Sequence, residues 1–344
     1  MIPASLPIQR PAHAKLLVID GAGNISHHAR SEFAELVRRG DVVVANDAAT
    51  LPASLSGRHL ATGQAIEVRL AGRLSLAVDE ISHFSAVVFG EGDFHLRTED
   101  RPPPPTLVPG DRLQLGTLRA KVERLLTHPR LVSLRFQGSP VEIWEGLTRH
   151  GHPIQYSHVP AALSLWDVWT PIAGPPVAFE PPSAGFALDW LTLETMHARG
   201  IAFATITLAA GISSTGDAEL DRRLPFDEPY RIPESTVRAI ERARYCGGRI
   251  IAIGTTVVRA LEHASSLDGG LQAGDGVATG RVGPKTPLRV VDAILTGTHE
   301  PGTSHYELLR AFADDGMLAQ ANQEMEDRNY TTHEFGDSVF VERH

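Results

Sequence analysis

The sequence has few of the features that mark secreted, membrane-bound or cysteine-dependent proteins. Cys246 is the only cysteine in 344 residues, so the chain can neither close an intramolecular disulfide nor begin a Cys-x-x-Cys metal site. No stretch reaches the roughly 18 consecutive apolar residues of a membrane helix. Residues 1–19 contain three prolines and lack the apolar core of a signal peptide. We therefore expect a cytoplasmic protein that is neither exported nor embedded in a membrane.

Positive charge is also scarce. The 32 lysines and arginines are outnumbered by 41 acidic residues, which gives a net charge of -9. This balance excludes a broadly basic nucleic-acid binder and leaves room only for a local basic groove. Hydrophobic residues make up 42% of the chain, enough for a sizeable core, so extensive disorder is excluded as well.

Several common catalytic motifs are missing. The sequence contains no GxxxxGK[ST] loop and no GxSxG elbow, which excludes P-loop triphosphatases and typical serine hydrolases. Gly21 and Gly23 follow a predicted strand, but the third glycine of a dinucleotide fingerprint is absent. The chain has 16 histidines.

None of the histidines has the HExxH spacing of a zinc protease. The candidate metal ligands among them are His150, His152 and His158, and the pair His299 and His305. The residues Pro301 and Gly302 break any helix that would place the pair on one face. We therefore expect no metal site.

Short apolar runs alternate with helical patterns at the two ends of the chain. Predicted strands at 16–20 and 41–46 flank a helix around Phe33 and Val37. After Gly138 the pattern continues with helices and strands at 187–199, 201–208, 235–245, 249–253, 257–264 and 290–295. A capping box at Ser304 to Glu307 predicts a further helix ending at Phe312. Alternating strands and helices predict an α/β domain with a mostly parallel sheet.

The segment between Gly57 and Gly138 has a different character. Strand-length runs follow one another closely, without long helices between them, at 64–70, 74–78, 85–89, 113–118 and 131–136. This spacing indicates a small inserted all-β barrel or sandwich. We predict an α/β domain in two parts, residues 1–57 and 146–344, interrupted by a β-barrel domain at residues 58–145.

The most informative local segment is Gly254-Thr255-Thr256, between a buried strand and a helix. The glycine lets a ligand approach the backbone, and the helix start offers free N–H groups to a carboxylate, a phosphate or ribose hydroxyls. The alternative is that a threonine only caps the helix. One turn further along, Arg259 either pairs with a carboxylate or is merely solvated.

A second candidate loop, Thr296 to Ser304, also joins a strand end to a helix. In open α/β sheets ligands bind beyond the carboxyl ends of strands, and His299 could act there as an acid or base, although a lone loop histidine is more often a surface residue. Glu228 and Asp337 each lie beside a proline or glycine, which by itself is more typical of a turn.

Taken together, these segments resemble the S-adenosylmethionine:tRNA ribosyltransferase-isomerase family of queuosine biosynthesis. The best match is 252–256 with 259–262. Further matches occur in family order at 40–47, 51–53, 57, 62–63, 66–68, 182–185, 207–208, 211, 228, 230, 291–296, 299, 301, 303–304, 311–312, 330 and 335–337. The resemblance implies an α/β domain interrupted by a small β-barrel. It also implies transfer and isomerisation of the ribosyl part of S-adenosylmethionine onto 7-aminomethyl-7-deazaguanine in tRNA, which yields epoxyqueuosine, adenine and methionine.

The resemblance also implies roles for individual residues. S-adenosylmethionine is the co-substrate, no tightly bound cofactor or metal is required, and the partners are S-adenosylmethionine and tRNA. The candidates for binding S-adenosylmethionine are Gly254, Thr255, Thr256, Arg259, Ser183 and Gly185. The candidates for binding the acceptor are Asn46, Asp47, Pro301 and Tyr330. The candidates for handling protons are Glu228, His299 and Asp337.

The sequence departs from the family pattern at positions suited to proton transfer and phosphate contact. Two family histidines are replaced by Ala187 and Ala209, and the His-x-Met-His-x-Glu pattern keeps only Glu228. Two family arginines are replaced by Ala49 and Ser54. Methyl and hydroxymethyl groups cannot transfer protons as imidazoles do.

These departures leave two alternatives open besides the family reaction. One is a divergent paralogue that binds S-adenosylmethionine or a related nucleoside without modifying tRNA. The other is group transfer to a different small acceptor, with histidines of the β insertion replacing those that are missing.

Overall fold

The computed structural model describes residues 1–343. The elements up to residue 50 are β1 (Ile2–Pro3), β2 (Lys15–Ile19), β3 (Ile25–Ala29), α1 (Phe33–Leu36), β4 (Val42–Asn46) and β5 (Ala49–Thr50). The inserted segment then contains β6 (Ser54–His59), β7 (Ala65–Gly72), β8 (His83–Phe89), β9 (Arg112–Leu115), β10 (Leu118–His128), β11 (Leu131–Phe136), α2 (Pro140–His150) and β12 (Gly151–His152).

The remaining elements alternate between helices and strands. They are α3 (Leu165–Val168), β13 (Pro176–Ala178), α4 (Trp190–Ala198), β14 (Ala202–Leu208), α5 (Ala218–Asp221), β15 (Glu228–Ile232), α6 (Glu234–Tyr245), β16 (Ile250–Ile253), α7 (Thr255–Ser266), β17 (Gly274–Ala278), β18 (Ala293–Gly297), α8 (Ser304–Leu309), α9 (Asp315–Asp327), β19 (Thr331–Thr332) and β20 (Ser338–Glu342). Short 3-10 helices lie at Arg30–Glu32, Thr98–Asp100 and Ser183–Ala187.

The large sheet has the strand order β17-β15-β14-β4-β16-β18-β20-β2-β3. Its centre, from β14 through β4 and β16 to β18, is parallel, whereas β15 and β20 run antiparallel to their inner neighbours. The expected α/β class is confirmed, with a sheet that is mixed towards its edges.

Alternating side chains of β4 serve the two faces of this sheet. Val42 and Val44 join a core with α6 and α7, whereas Val43 and Ala45 join a second core with α1 and α4. Successive strand residues point to opposite faces, so a strand covered on both sides is apolar throughout. This double covering explains the unbroken apolar run at residues 42–45.

The insertion is a closed barrel. Its antiparallel order is β6-β7-β8-β11-β10-β9, and pairing of β6 with β9 completes the circle. At this seam a Cβ on Gly57 would lie 2.0 Å from the carbonyl oxygen of Gln114, so only glycine permits the approach. The chain leaves through β12, which pairs with β6 beside the point of entry.

The predicted domain boundaries 57/58 and 145/146 fall inside β6 and α2 respectively. The barrel strands themselves extend from Ser54 to Phe136. The exact division therefore stays a prediction. Within residues 1–343, no helix combines the length and apolar character needed to cross a membrane.

Two of the predicted barrel strands differ from the structure. Residues 74–78 form a loop, in which the Ala77 oxygen accepts from the Arg73 guanidinium at 2.5 Å instead of from a neighbouring strand. Residues 113–118 form a hairpin instead of one strand, since Gly116 adopts a φ of 58° and reverses the chain.

Three predicted elements of the α/β part begin or end elsewhere. Helix α4 begins at Trp190, because the Asp189 carboxylate caps it by accepting from the Thr192 N–H at 2.6 Å. Helix α8 is capped by Thr303, one residue before the predicted box, and ends at Leu309. Strand β18 begins at Ala293, later than expected, because the preceding amides of residues 290 and 291 donate to Glu262.

Candidate functional site

One edge of the large sheet gathers most of the predicted site residues. The parallel strands β14, β4, β16 and β18 end at this edge, and the antiparallel strands β15 and β20 begin there. Asn46, Gly254, His299, Glu228 and Asp337 therefore lie along it, each at or next to a strand end. This placement is the one expected for ligand sites in open α/β sheets.

Asn46, the last residue of β4, connects three strand ends. Its amide oxygen accepts from the Leu208 N–H at 3.0 Å, and its Nδ2 donates to the Leu208 carbonyl at 3.0 Å. The same Nδ2 lies 3.5 Å from Oγ1 of Thr256. The next residue, Asp47, accepts from the Thr207 hydroxyl at 2.6 Å. Asn46 thus fixes the threonine of the Gly-Thr-Thr segment relative to β14.

Gly254 brings the start of α7 against the 3-10 helix Ser183–Ala187. It has a φ of 90°, and a Cβ at this position would lie 3.2 Å from Cβ of Ala184. No side chain caps the first turn of α7 within the described part of the chain, so Thr255 and Thr256 are helical residues and not caps. The first turn of this twelve-residue helix therefore has N–H groups that no side chain caps, as a ligand site requires.

Arg259 pairs with Glu228 inside the protein. Its Nη1 donates to the carboxylate, and its Nη2 donates to the Phe226 and Ala278 carbonyls at 2.8 and 2.9 Å. The other oxygen of Glu228 accepts from the Gly211 N–H at 2.7 Å. Burial raises the pKa of Glu228, and the guanidinium offsets part of that rise. Of the two alternatives for Arg259, the structure has the ion pair.

His299 lies beyond the end of β18 and is half-buried, in contrast to the surface position typical of a loop histidine. Its Nε2 lies 3.0 Å from the Thr296 hydroxyl, and its ring stacks on His305 with the centroids 4.7 Å apart. The two histidines therefore meet although no helix joins them. Burial, together with the nearby His305 and His333, holds the pKa of His299 well below its usual value, so the imidazole is neutral at pH 7.

The other predicted residues near β20 have partners within the chain. Asp337 accepts from the backbone N–H groups of Lys15 at 2.7 Å and Thr331 at 2.8 Å. The Tyr330 hydroxyl lies 2.8 Å from Nδ1 of His27, on the side of β3, and burial raises the pKa of Tyr330 to about 12. Pro301 is exposed in the loop that follows His299.

A second cluster, which was not predicted, lies next to these residues. His158 donates from its Nε2 to the Glu334 carboxylate at 3.0 Å and stacks on His333 with the ring centroids 4.2 Å apart. The sequence groups His158 with its neighbours His150 and His152, but its partner is 176 positions away. No local spacing could have revealed this pairing. The cluster comes from the α/β part and not from the β insertion.

Glu180 is a further titratable residue beside this cluster. The buried carboxylate accepts from the Tyr156 hydroxyl, and the ring of Tyr156 lies parallel to that of His158 at 6.3 Å. Burial raises the pKa of Glu180 to about 7, and the nearby Glu334 charge contributes to the rise. A carboxyl group with such a pKa can exchange a proton near neutral pH.

Comparison with known proteins identifies the family. A family model described as a queuosine biosynthesis protein matches residues 2–341. Relatives named S-adenosylmethionine:tRNA ribosyltransferase-isomerase include those of Geotalea uraniireducens, at 30% identity over 99% of this chain and 97% of the relative, and Pelobacter propionicus, at 32% identity over 97% and 94%. The chain belongs to the S-adenosylmethionine:tRNA ribosyltransferase-isomerase family.

The fold of this family member agrees with a solved structure. The S-adenosylmethionine tRNA ribosyltransferase from Thermotoga maritima aligns with a TM-score of 0.51 at 23% identity, covering 99% of this chain and 95% of that chain. The alignment covers both the barrel and the α/β part, and at this identity the similarity concerns the fold.

The four positions at which the resemblance implies histidines or arginines that this chain lacks are buried or contact the barrel. Ala187 and Ala209 are buried in apolar cores, and Ala49 is buried in β5. Ser54 donates to Glu67 of the barrel at 2.7 Å. The half-buried His299 follows β18, the parallel neighbour of the strand that precedes the Gly-Thr-Thr segment.

Proposed function

We propose that the protein transfers and isomerises the ribosyl part of S-adenosylmethionine onto 7-aminomethyl-7-deazaguanine in tRNA, with S-adenosylmethionine as co-substrate. The observation that carries the proposal is the similarity to the named relatives along more than nine tenths of both chains. The position of Asn46, Gly254 and Thr256 at neighbouring strand ends on the same side of the large sheet supports the proposal. We also propose that the reaction takes place in the cytoplasm, where a protein with one cysteine stays reduced.

We assign the adenosyl and methionine parts of the co-substrate to the start of α7. Thr255 and Thr256 offer hydroxyls there, next to N–H groups at the positive end of the helix dipole. We place Ser183 and Gly185 beside the same site, because Ala184 between them lies against Gly254. Arg259 supports this site from behind, because its guanidinium is already bound to Glu228 and to backbone carbonyls.

We assign the proton-handling role to His299. The sulfonium of S-adenosylmethionine makes the adjacent C5′ proton acidic, and a neutral imidazole can accept that proton. The lowered pKa of His299 keeps it neutral at pH 7. Glu228 and Asp337 suit the role less well, since both of their carboxylates accept hydrogen bonds from the chain itself.

The acceptor base belongs beside the same edge. Asp47 follows β4, and Pro301 lies in the exposed loop after His299, so both come after strands that end on the same side of the sheet as the strand before the Gly-Thr-Thr segment. Tyr330 is a weaker candidate, because its hydroxyl faces His27 and not the sheet edge. With a net charge of -9, contacts to tRNA phosphates have to come from local groups of arginines and lysines.

Two measurements test the proposed function. Calorimetry with S-adenosylmethionine should show binding, and chromatography should show adenine released when tRNA carrying 7-aminomethyl-7-deazaguanine is added. The control reaction contains unmodified tRNA, with which no adenine should be released from S-adenosylmethionine. No heat with any adenosyl ligand contradicts the proposal. Binding without adenine at high enzyme concentration supports instead a paralogue that binds the nucleoside without modifying tRNA.

A further inference from the structure

His158, His333 and Glu334 form a compact group of possible metal ligands. One ligand atom from each lies within 4.8 Å of the other two. His158 and Glu334 are half-buried and His333 is exposed, so an ion could reach the group from solvent. The residues come from two separate loops, one after β12 and one between β19 and β20.

The chemistry of this donor set is specific. Two imidazoles and one carboxylate are typical ligands of zinc, and three protein ligands leave a fourth position open for water. Hard cations such as Mg²⁺ and Ca²⁺ prefer oxygen ligands, so the two nitrogens disfavour them. Within residues 1–343, neither ring nitrogen of His333 has a hydrogen-bond partner, which leaves both available to an ion.

The backbone of His333 supplies an independent observation. It has a φ of 69°, in the left-handed region that only a few per cent of residues other than glycine adopt, asparagine, aspartate and histidine more often than the rest. Strained residues of this kind concentrate at functional sites, where the surrounding structure holds them in place. Here the conformation turns the imidazole of His333 towards that of His158.

We propose that His158, His333 and Glu334 bind a divalent ion of the zinc class. An ion bound by a histidine lies in the plane of its ring, whereas these two rings are stacked with 20° between their planes. Binding therefore requires one ring to rotate, and the exposed His333 is free to do so. The bound ion would connect the loop after β12 to the start of β20.

The test is titration of the untagged protein, first freed of metal with a chelator, with ZnCl₂ and CoCl₂. We expect one ion per chain, a visible Co²⁺ spectrum of low coordination number, and a higher melting temperature with Zn²⁺. Because asparagine tolerates the left-handed conformation, His333→Asn removes the imidazole and keeps the backbone. It should weaken binding by at least about 10-fold and abolish the thermal shift.

Two further variants and a control complete the experiment. Glu334→Gln removes the charge at similar volume, and His158→Phe removes the ring nitrogens but keeps a ring that stacks on His333; each should weaken binding similarly. The matched control is His305→Ala in the neighbouring histidine pair, which should bind as the wild type does. Equal binding by wild type, Glu334→Gln and His158→Phe overturns the proposal. So does loss of binding only in His305→Ala, or a wild type that binds no Zn²⁺. Because the readout needs neither S-adenosylmethionine nor tRNA, it is independent of the proposed function.

Discussion

Thr256 and His299 lie beyond the ends of the neighbouring strands β16 and β18, but their side chains are suited to different tasks. The Thr256 hydroxyl stands at the start of α7, where it can hydrogen-bond a bound ligand, whereas the neutral His299 imidazole is suited to accepting a proton. We expect Thr256→Val to weaken S-adenosylmethionine binding by about 0.5–1.5 kcal/mol. His299→Ala should weaken it less and mainly slow adenine release. Calorimetry measures the S-adenosylmethionine affinity of both variants. Equal losses of affinity, or a larger loss in His299→Ala, contradict the assignment.

Protonation of His299 should appear in the pH dependence of the reaction. The pKa of its imidazole lies well below 6.5 because of burial and of the neighbouring His305 and His333. A base is active when deprotonated, so adenine release should stay high as pH falls to 6.5 and decline only below that value. The measurement is the rate of adenine release between pH 5 and 8 at saturating substrates. A decline centred above 6.5 would point to another base.

Glu180 should make the stability of the protein depend on pH. Its pKa is about 7 in the folded protein, against 4.5 as the ordinary value. Between these pH values the folded state binds more protons than the unfolded state, so the free energy of unfolding falls as pH rises through this window. Glutamine cannot ionise. Relative to wild type, the free energy of unfolding of Glu180→Gln should therefore rise by about 1–3 kcal/mol from pH 4 to pH 8. Urea unfolding of both proteins at the two pH values measures this change. A difference that stays constant with pH contradicts the prediction.

At the scale of residues, the sequence predicted which groups lie at strand ends but not which groups pair. Gly254, Thr256 and His299 could be placed because each follows an apolar run that ends the strand. The ion pair of Arg259 with Glu228 and the stack of His158 on His333 depend on how distant segments pack. Composition and local spacing contain no information about such contacts.

At the scale of elements, the Arg259–Glu228 pair connects α7 to the antiparallel strands β15 and β17 of the large sheet. Arg259 extends from α7 to Glu228 at the start of β15 and to the Ala278 carbonyl at the end of β17. Arg259→Met leaves the buried Glu228 without its counter-charge, which should lower the free energy of unfolding by about 3–5 kcal/mol. Urea unfolding with tryptophan fluorescence measures the loss.

An exposed pair on the same strands provides the control for this variant. Arg231 of β15 binds Asp275 of β17 at 2.6 Å, with more than half of each side chain exposed. Water screens such a pair, so Arg231→Met should change the free energy of unfolding by no more than about 1 kcal/mol. A similar loss of unfolding free energy in both variants would show that burial of the ion pair does not determine how much its removal destabilises the protein.

Most strands and helices followed from local patterns, and two of the failures share one cause. Residues 74–78 look like a strand, but the Arg73 guanidinium donates to the Ala77 carbonyl, which a neighbouring strand would need, and to the Glu80 carbonyl just beyond. In the same way the Glu262 carboxylate engages the amides just before β18. In both places a side chain satisfies backbone groups, and hydrophobic periodicity does not detect this.

At the scale of the whole molecule, the barrel and the α/β part share one core. Phe179, which follows β13, is fully buried and packs edge-on against Phe84 of barrel strand β8, with the ring centroids 6.1 Å apart. The change Phe179→Ala should therefore lower the stability of both parts together, by about 3–5 kcal/mol. We expect a single calorimetric transition at a lower temperature. Two separate transitions in the variant would show that the parts unfold independently.

The insertion itself was visible in the sequence because closely spaced strands replace the helix pattern. Its closure into a barrel was one of two expected outcomes, since a sandwich has the same strand spacing. Pairing of β6 with β9 at Gly57 decides between them, and this contact joins segments that are far apart in the chain.

The pairing of β12 with β6 bears on the order of events during folding. In the finished sheet β4 pairs with β14, although residues 47–201 separate the two strands in the chain. Bringing the ends of so long a flexible segment together carries a large loss of chain entropy. A barrel built from hairpins can form first and, by returning the chain to β6, lower that loss. In pulse-labelled hydrogen exchange, we expect amides of Ala65–Gly72 to gain protection before those of Val42–Asn46, and simultaneous protection would contradict this order.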